Sequence, residues 1–199
     1  LSVNLGLHCI TKKFNRQSDV YGFVDGHSYL SDVNLESLKQ KIFLDDQDLV
    51  SVFEAKFAQL IGSGDCVSYA TGRMGFYDLM RTLKITGQDE VIILGFTCSV
   101  MINAIARLGA VPVFSDLNKS SFGSEATSVE TLISSRTKLI VVQHSFGIPS
   151  DIKKIMKIAN LRKIFVMEDC ALSLGSSLNG RPLGSFGHAA LFSTDHSKP

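Results

Sequence analysis

The sequence is short of the features that settle a protein's class quickly. No charge of one sign dominates, because 20 Lys and Arg against 19 Asp and Glu leave a net charge of +1. A protein that grips a polyanion such as nucleic acid normally shows a basic excess, so no nucleic-acid partner is expected. No apolar run approaches the roughly 20 residues needed to span a bilayer, so no membrane partner is expected either. The opening LSVNLGLHCITKK lacks the basic-then-apolar order of a signal peptide and has no initiator Met, so it reads as trimmed. Cys9, Cys66, Cys98 and Cys170 form no CxxC pair, and three of them lie in or beside apolar runs. They are expected to be buried, reduced thiols of a cytoplasmic protein. No closely spaced ligand set suggests a metal. Repeats, low-complexity stretches, a GxGxxG fingerprint and a Walker loop are all missing.

What is present is a chain of 199 residues, 45% hydrophobic, long enough for one domain with a sizeable core. Residues 1–45 carry scattered Gly, Ser and Asp and read as an N-terminal arm with one short helix near Leu35–Phe43. From residue 46 to 199 the pattern is that of a single domain. Leu49, Val52, Phe53, Phe57, Leu60 and Ile61 recur at helical spacing, and Gly62 and Gly64 end that helix. Short apolar strands and amphipathic helices then alternate. Strands are predicted at Cys66–Ala70, Glu90–Leu94, Val111–Ser115, Lys138–Gln143, Lys163–Glu168 and Ala189–Ser193. Helices are predicted at Gly72–Ile85, Ser99–Leu108, Val129–Ser134 and Asp151–Leu161. Strands that are apolar without alternation indicate an α/β fold whose sheet is largely parallel, with helices on both faces. Such sheets bind ligands outside the carboxyl ends of their strands.

Those ends carry the candidate chemistry. Thr71-Gly72-Arg73 follows the first strand and opens a helix, where backbone N–H groups and the helix dipole suit a phosphate, although one glycine before a helix is also an ordinary turn. Phe96, Thr97 and Cys98 offer a wall for a planar ligand, or simply core. His144 is either a hydrogen-bonded structural histidine or part of a site. Glu168 and Asp169 are adjacent carboxylates at the end of an apolar strand, either solvated or facing a cationic ligand. The last strand runs through Ser193 to His196 and Lys198. A lone lysine is ordinarily a surface residue, but desolvated it becomes a nucleophile.

Taken in order, these segments resemble the DegT/StrS family of sugar-nucleotide aminotransferases. The stretches that carry the resemblance are FEAKFAQLIGSGDCVSYATGRMG, DEVIILGFTCSVMINAIARLGAVPVFSD, RTKLIVVQHSFGIPSDIKKI and MEDCALSLGSSLNGRPLGSFGHAALFS followed by Lys198. They extend over residues 48–199. The resemblance implies the large domain of an aspartate-aminotransferase-type fold and pyridoxal 5'-phosphate (PLP) as cofactor. It implies Lys198 as the residue that carries PLP covalently and Asp169 as the partner of the pyridine nitrogen, which keeps the ring an electron acceptor. It places Gly72 and Arg73 at the phosphate turn, Ser193 at the phosphate, and Ala171 and Cys98 on the two ring faces. Thr71, His144, Leu172 and His196 are further candidates near the site.

The implied activity transfers an amino group, with glutamate as donor, to a nucleotide-linked keto-sugar for surface-polysaccharide or secondary-metabolite synthesis. The implied assembly is a homodimer. Alternatives are a PLP-dependent sugar dehydratase and a non-catalytic regulatory protein on the same fold. Three positions depart from the family pattern: Arg73 replaces a threonine, Leu172 a glutamine that hydrogen-bonds PLP, and Cys98 an aromatic. Family members are also about twice as long, so the chain reads as lacking the second, smaller domain.

Overall fold

The computed structural model describes residues 49–194. The N-terminal arm, the helix expected near Leu35–Phe43, Cys9, His196 and Lys198 lie outside the described residues. Within them the elements run α1 (Leu49–Ile61), α2 (Gly72–Thr82), β1 (Glu90–Leu94), α3 (Ser99–Arg107), β2 (Val111–Ser115), α4 (Ala126–Leu132) and β3 (Thr137–Gln143). There follow α5 (Ile152–Arg162), β4 (Phe165–Cys170), a short hairpin of β5 (Ser177–Leu178) and β6 (Arg181–Pro182), and β7 (Ala189–Phe192).

Five strands form one sheet in the order β2-β1-β3-β4-β7, and every pairing in it is parallel. The expected α/β architecture is therefore the observed one. Strand alternation sorts the side chains into two layers. Val91, Ile93, Leu139, Val141 and Met167 pack against Phe76 and Met80 of α2 and Met101 and Ile105 of α3. Ile92, Ile140, Val142 and Val166 pack on the other face against Val129 of α4 and Ile152, Ile155 and Ala159 of α5. β1 is buried along its whole length, which explains why EVIIL shows no polar alternation.

Most element ends fall within two residues of expectation, and three of the shifts have a visible cause. Lys163 is not strand: it sits at φ 56, a left-handed cap that closes α5, with Ile164 N–H donating to Ala159 O at 2.9 Å. That is the hydrogen bond of a Schellman end, and it postpones β4 to Phe165. α2 stops at Thr82 rather than Ile85 for the same reason, with Lys84 at φ 55 and Ile85 N–H bonded to Met80 O. α4 begins at Ala126, three residues before Val129, its first N–H reaching Asp151 Oδ2 at 3.3 Å.

The strand expected at Cys66–Ala70 is not one. A strand needs a ladder partner, and here the hydrogen-bonding capacity is turned elsewhere: Ser68 N–H and its hydroxyl both donate to Glu54 Oε1 of α1, at 2.6 and 2.7 Å. Val67 and Tyr69 are exposed. α1 forms as the periodicity predicts, but its apolar face is mostly uncovered, with Phe53 and Leu60 exposed and only Ile61 buried.

Candidate functional site

The carboxyl edge of the sheet gathers the residues singled out from sequence. In the parallel register, Gln143 of β3 stands beside Asp169 of β4, and Asp169 beside Leu191 of β7. All three project to the α2–α3 face, because Val141, Met167 and Leu191 pack in that layer. The start of α2 lies directly over this row. A Cβ placed on Gly72 would sit 3.5 Å from Leu191 Cδ1. Asp169 is buried, and its Oδ1 accepts the Ala171 N–H at 3.0 Å. The carboxylate, the following turn and the first residues of α2 are thereby brought to one corner. Ser193 follows β7 directly, two residues after Leu191.

Thr71 caps α2 with an extended backbone and no side-chain cap bond. The leading N–H groups of a helix have no intrahelical acceptor, so this turn has the donors that an anion at a helix start would use. Cys98 occupies the equivalent position on α3, also without a side-chain cap bond. It is exposed, against the expectation of a buried thiol, because it stands where β1 has already left the sheet. Cys66 is half-buried and Cys170 buried, and all three are free thiols.

Among the described residues, the buried side-chain hydroxyls left without a hydrogen-bond partner are those of Thr71, Thr97 and Ser115. All three lie at the carboxyl end of the sheet: before α2, after β1 and at the end of β2. Orphaned buried hydroxyls are uncommon in folded proteins. Their concentration on one edge fits a polar ligand held there, such as a phosphate ester.

His144 lies elsewhere. Its backbone N–H donates to Asp169 O at 3.1 Å, but its ring has the phase of Val142 and occupies the opposite face. There Nδ1 accepts the Ser150 N–H at 3.1 Å, which leaves the proton on Nε2 to donate to Glu168 Oε2 at 3.0 Å. Glu168 is wholly buried. Its carboxylate also accepts N–H groups from Gly184 at 3.0 Å, Phe186 at 2.7 Å and Gly187 at 2.6 Å. Burial alone would raise its pKa, but the His144 hydrogen bond and the backbone amides outweigh that and hold it below the ordinary carboxylate value. Glu168 was not among the residues assigned a role from sequence. The signal was available, since adjacent residues on a strand face opposite sides.

His144, Glu168 and Cys170 bring their potential ligand atoms within 4.8 Å of one another. They do not make a metal centre. Both carboxylate oxygens and both ring nitrogens are engaged, and burial, then the charges of Glu168 and Asp169, push the Cys170 thiol well above its usual pKa. A ligating sulfur must be a thiolate.

Beyond the polar edge, Phe96 and Phe146 meet at 6.2 Å between ring centroids, as do Phe122 and Phe146, and all three are exposed. Gln143 Nε2 ties this group to the site by donating to Phe96 O at 3.0 Å. Arg73 is exposed and Leu172 half-buried.

Residues 30–199 match the DegT/DnrJ/EryC1/StrS aminotransferase family. The chain is 37% identical over 145 residues to a UDP-N-acetyl-3-dehydro-alpha-D-glucosamine 3-aminotransferase of Acidithiobacillus ferrooxidans, covering 73% of this chain and 39% of that protein. It is 33% identical to GDP-perosamine synthase of Escherichia coli O157:H7, covering 72% of this chain and 40% of the other. Among solved structures, the aminotransferase TlmJ from Streptoalloteichus hindustanus superposes with a TM-score of 0.78 at 30% identity, over 85% of this chain and 48% of that one. NtdA of Bacillus subtilis, solved with bound PMP, shares the fold with a TM-score of 0.79 at 23% identity, over 92% of this chain and 43% of its own. The chain thus spans about two fifths of the length of these curated relatives.

Proposed function

Because this chain belongs to the DegT/DnrJ/EryC1/StrS aminotransferase family, we propose that it forms the cofactor-binding part of a PLP-dependent aminotransferase acting on a nucleotide-linked keto-sugar. The observation that carries the reading is the alignment of Asp169, Leu191 and Gly72 under a helix start, with unpartnered hydroxyls along the same edge. When bound, PLP supplies an electron sink for the substrate's reacting carbon.

The protein's part is placement. The first N–H groups of α2, with Thr71, Gly72 and Arg73, hold the phosphate, and Ser193 adds a hydroxyl. Asp169, kept from water, holds a proton on the pyridine nitrogen by its negative charge. Ala171 and Cys98 confine the two ring faces. Lys198 would bind the cofactor covalently, and its amine would serve as the base and acid that moves a proton at the substrate's reacting carbon. Glutamate is the proposed amino donor.

The two curated relatives bear the names of a UDP-linked and a GDP-linked sugar, which supports the substrate class. A second copy of the chain is the proposed partner, seated against the exposed Phe96, Phe122 and Phe146. Sedimentation of Phe146→Asp against wild type tests that point. No described helix is long and apolar enough to cross a membrane; the cytoplasm is the proposed location.

The deciding experiment is titration of the purified protein with PLP, followed by borohydride reduction and peptide mapping. The expected result is a visible absorption band and a pyridoxyl group on Lys198. A reduced protein without label on Lys198 overturns the reading.

A further inference from the structure

We propose that Glu168 is a positioning residue that pins the register of β7 and thereby aligns Leu191 and Ser193 with Asp169. The inference rests on the reading of the carboxyl edge as a PLP site, and it concerns a side chain on the opposite face of the sheet.

β7 is short and, among the described residues, has β4 as its one neighbour. Four residue pairs, from Met167–Ala189 to Cys170–Phe192, fix it. A slip of one residue would turn Leu191 and Ser193 away from the face that carries Asp169. Four ladder positions at a sheet edge are a weak restraint against such a slip.

The loop that delivers β7 supplies the missing restraint. Three of its N–H groups, from Gly184, Phe186 and Gly187, converge on the Glu168 carboxylate. With His144 Nε2–H, four donors fill the acceptor positions of the two oxygens. The carboxylate is ionised at neutral pH, because its pKa lies below the ordinary value, and bonds to a charged acceptor are the stronger kind.

The loop also fits closely against what it positions. Gly184 has φ +90, and a Cβ there would overlap Cζ of the Phe192 ring. A Cβ on Gly187 would lie 3.1 Å from Val166 O and 3.3 Å from Glu168 Cγ. The loop is therefore wedged between the carboxylate of β4 and the last side chain of β7. Phe192 is held from its other side by Phe57, at 5.2 Å between ring centroids. Stability alone does not require a buried anion here, since apolar replacements of buried charges are often neutral or better. What an apolar side chain cannot do is fix three N–H groups at defined points.

One strand thus serves both faces. Asp169 faces the cofactor edge, and its neighbour Glu168 sets the strand that must meet it. The two roles are separable by experiment.

The test compares Glu168→Gln and Gly184→Ala with wild type by native-state hydrogen exchange and by PLP titration. In Glu168→Gln the new side-chain amide would present N–H where the loop also presents N–H. Gly184→Ala would displace Phe192 while leaving the carboxylate in place. The expected result is exchange in β7 raised selectively, with β1 and β3 protected as in wild type. PLP affinity should fall about 10- to 100-fold, and the pH midpoint of the lysine-bound cofactor's visible band should move. Exchange unchanged in β7, or raised equally across the whole sheet in both variants, overturns the proposal. The exchange arm needs no cofactor, so a wild-type protein that takes up no PLP counts against the function and leaves the positioning role decided by exchange alone. If Glu168→Gln does not fold, Glu168→Asp, which keeps the charge but draws the carboxylate back from the Gly184, Phe186 and Gly187 N–H groups, carries the same comparison.

Discussion

Asp169 and Leu191 are register partners across β4 and β7, so the candidate ring-nitrogen partner stands next to the residue on which the start of α2 rests. Asp169 accepts the Ala171 N–H, and Asn can keep that bond through its carbonyl oxygen. Asp169→Asn should therefore keep the turn into Ala171 while removing the negative charge. Transamination is expected to fall by about 10²- to 10³-fold, measured at saturating PLP. A rate equal to wild type would remove Asp169 from the site.

The thiols offer a test that needs no turnover. Cys98 is exposed at the head of α3, whereas Cys170 is buried and its pKa is pushed far up by burial and by the two neighbouring carboxylates. Cys66 is raised less severely, by burial and then by Glu54. Thiolates are the reactive form. Iodoacetamide should therefore modify Cys98 in the native protein and leave Cys170 unmodified until denaturant is added, as read by peptide mass spectrometry. PLP should protect Cys98, and equal labelling with and without PLP would place Cys98 outside the cofactor's reach.

Acid should uncouple the Glu168 clamp. The group's pKa is lower in the folded protein than when unfolded, and an unfolded glutamate titrates near about 4.3. Its stabilisation is therefore complete above that value and is lost as the pH falls through the folded one. Denaturant midpoints of wild type and Glu168→Gln should differ at neutral pH and converge on acidification below about pH 4. A gap that stays constant over the same range rejects the assignment.

Much of this was legible in the sequence because apolar strands declare themselves. EVIIL, the LIVV of KLIVVQ and the core of KIFVME are buried on both faces, so composition alone marks them. The order of strand-end motifs also pointed to the family. Legibility failed where structure depends on a partner. Cys66–Ala70 has the composition of a strand, but the neighbours it bonds are side-chain atoms of α1. The β5–β6 hairpin was missed although Asn179-Gly180 announces it. Both residues have positive φ, 54 and 76, as a two-residue hairpin turn requires. His144 and Glu168 were both noticed, yet their pairing was not. Strand phase puts them on one face, but only the fold brings the Gly184–Gly187 loop to meet them. Lys198 rests on the motif order alone.

Gly72 separates a fold requirement from a ligand requirement. The atoms nearest its Cβ position belong to the Leu191 side chain, at 3.5 to 3.8 Å, which is ordinary van der Waals contact. Nothing in the protein itself forbids alanine there, in contrast to Gly184, where a Cβ would overlap the Phe192 ring. A glycine that the fold does not need is explained if a ligand must come close to the backbone at the head of α2. Gly72→Ala should therefore melt with wild type while weakening PLP binding by about 10-fold or more, with inorganic phosphate losing its competition against PLP in parallel. If Gly72→Ala instead lowers the melting temperature and leaves PLP affinity untouched, the glycine belongs to the packing of α2 on β7, and the phosphate must be held elsewhere along the edge, where Thr97 and Ser115 leave their hydroxyls unpartnered.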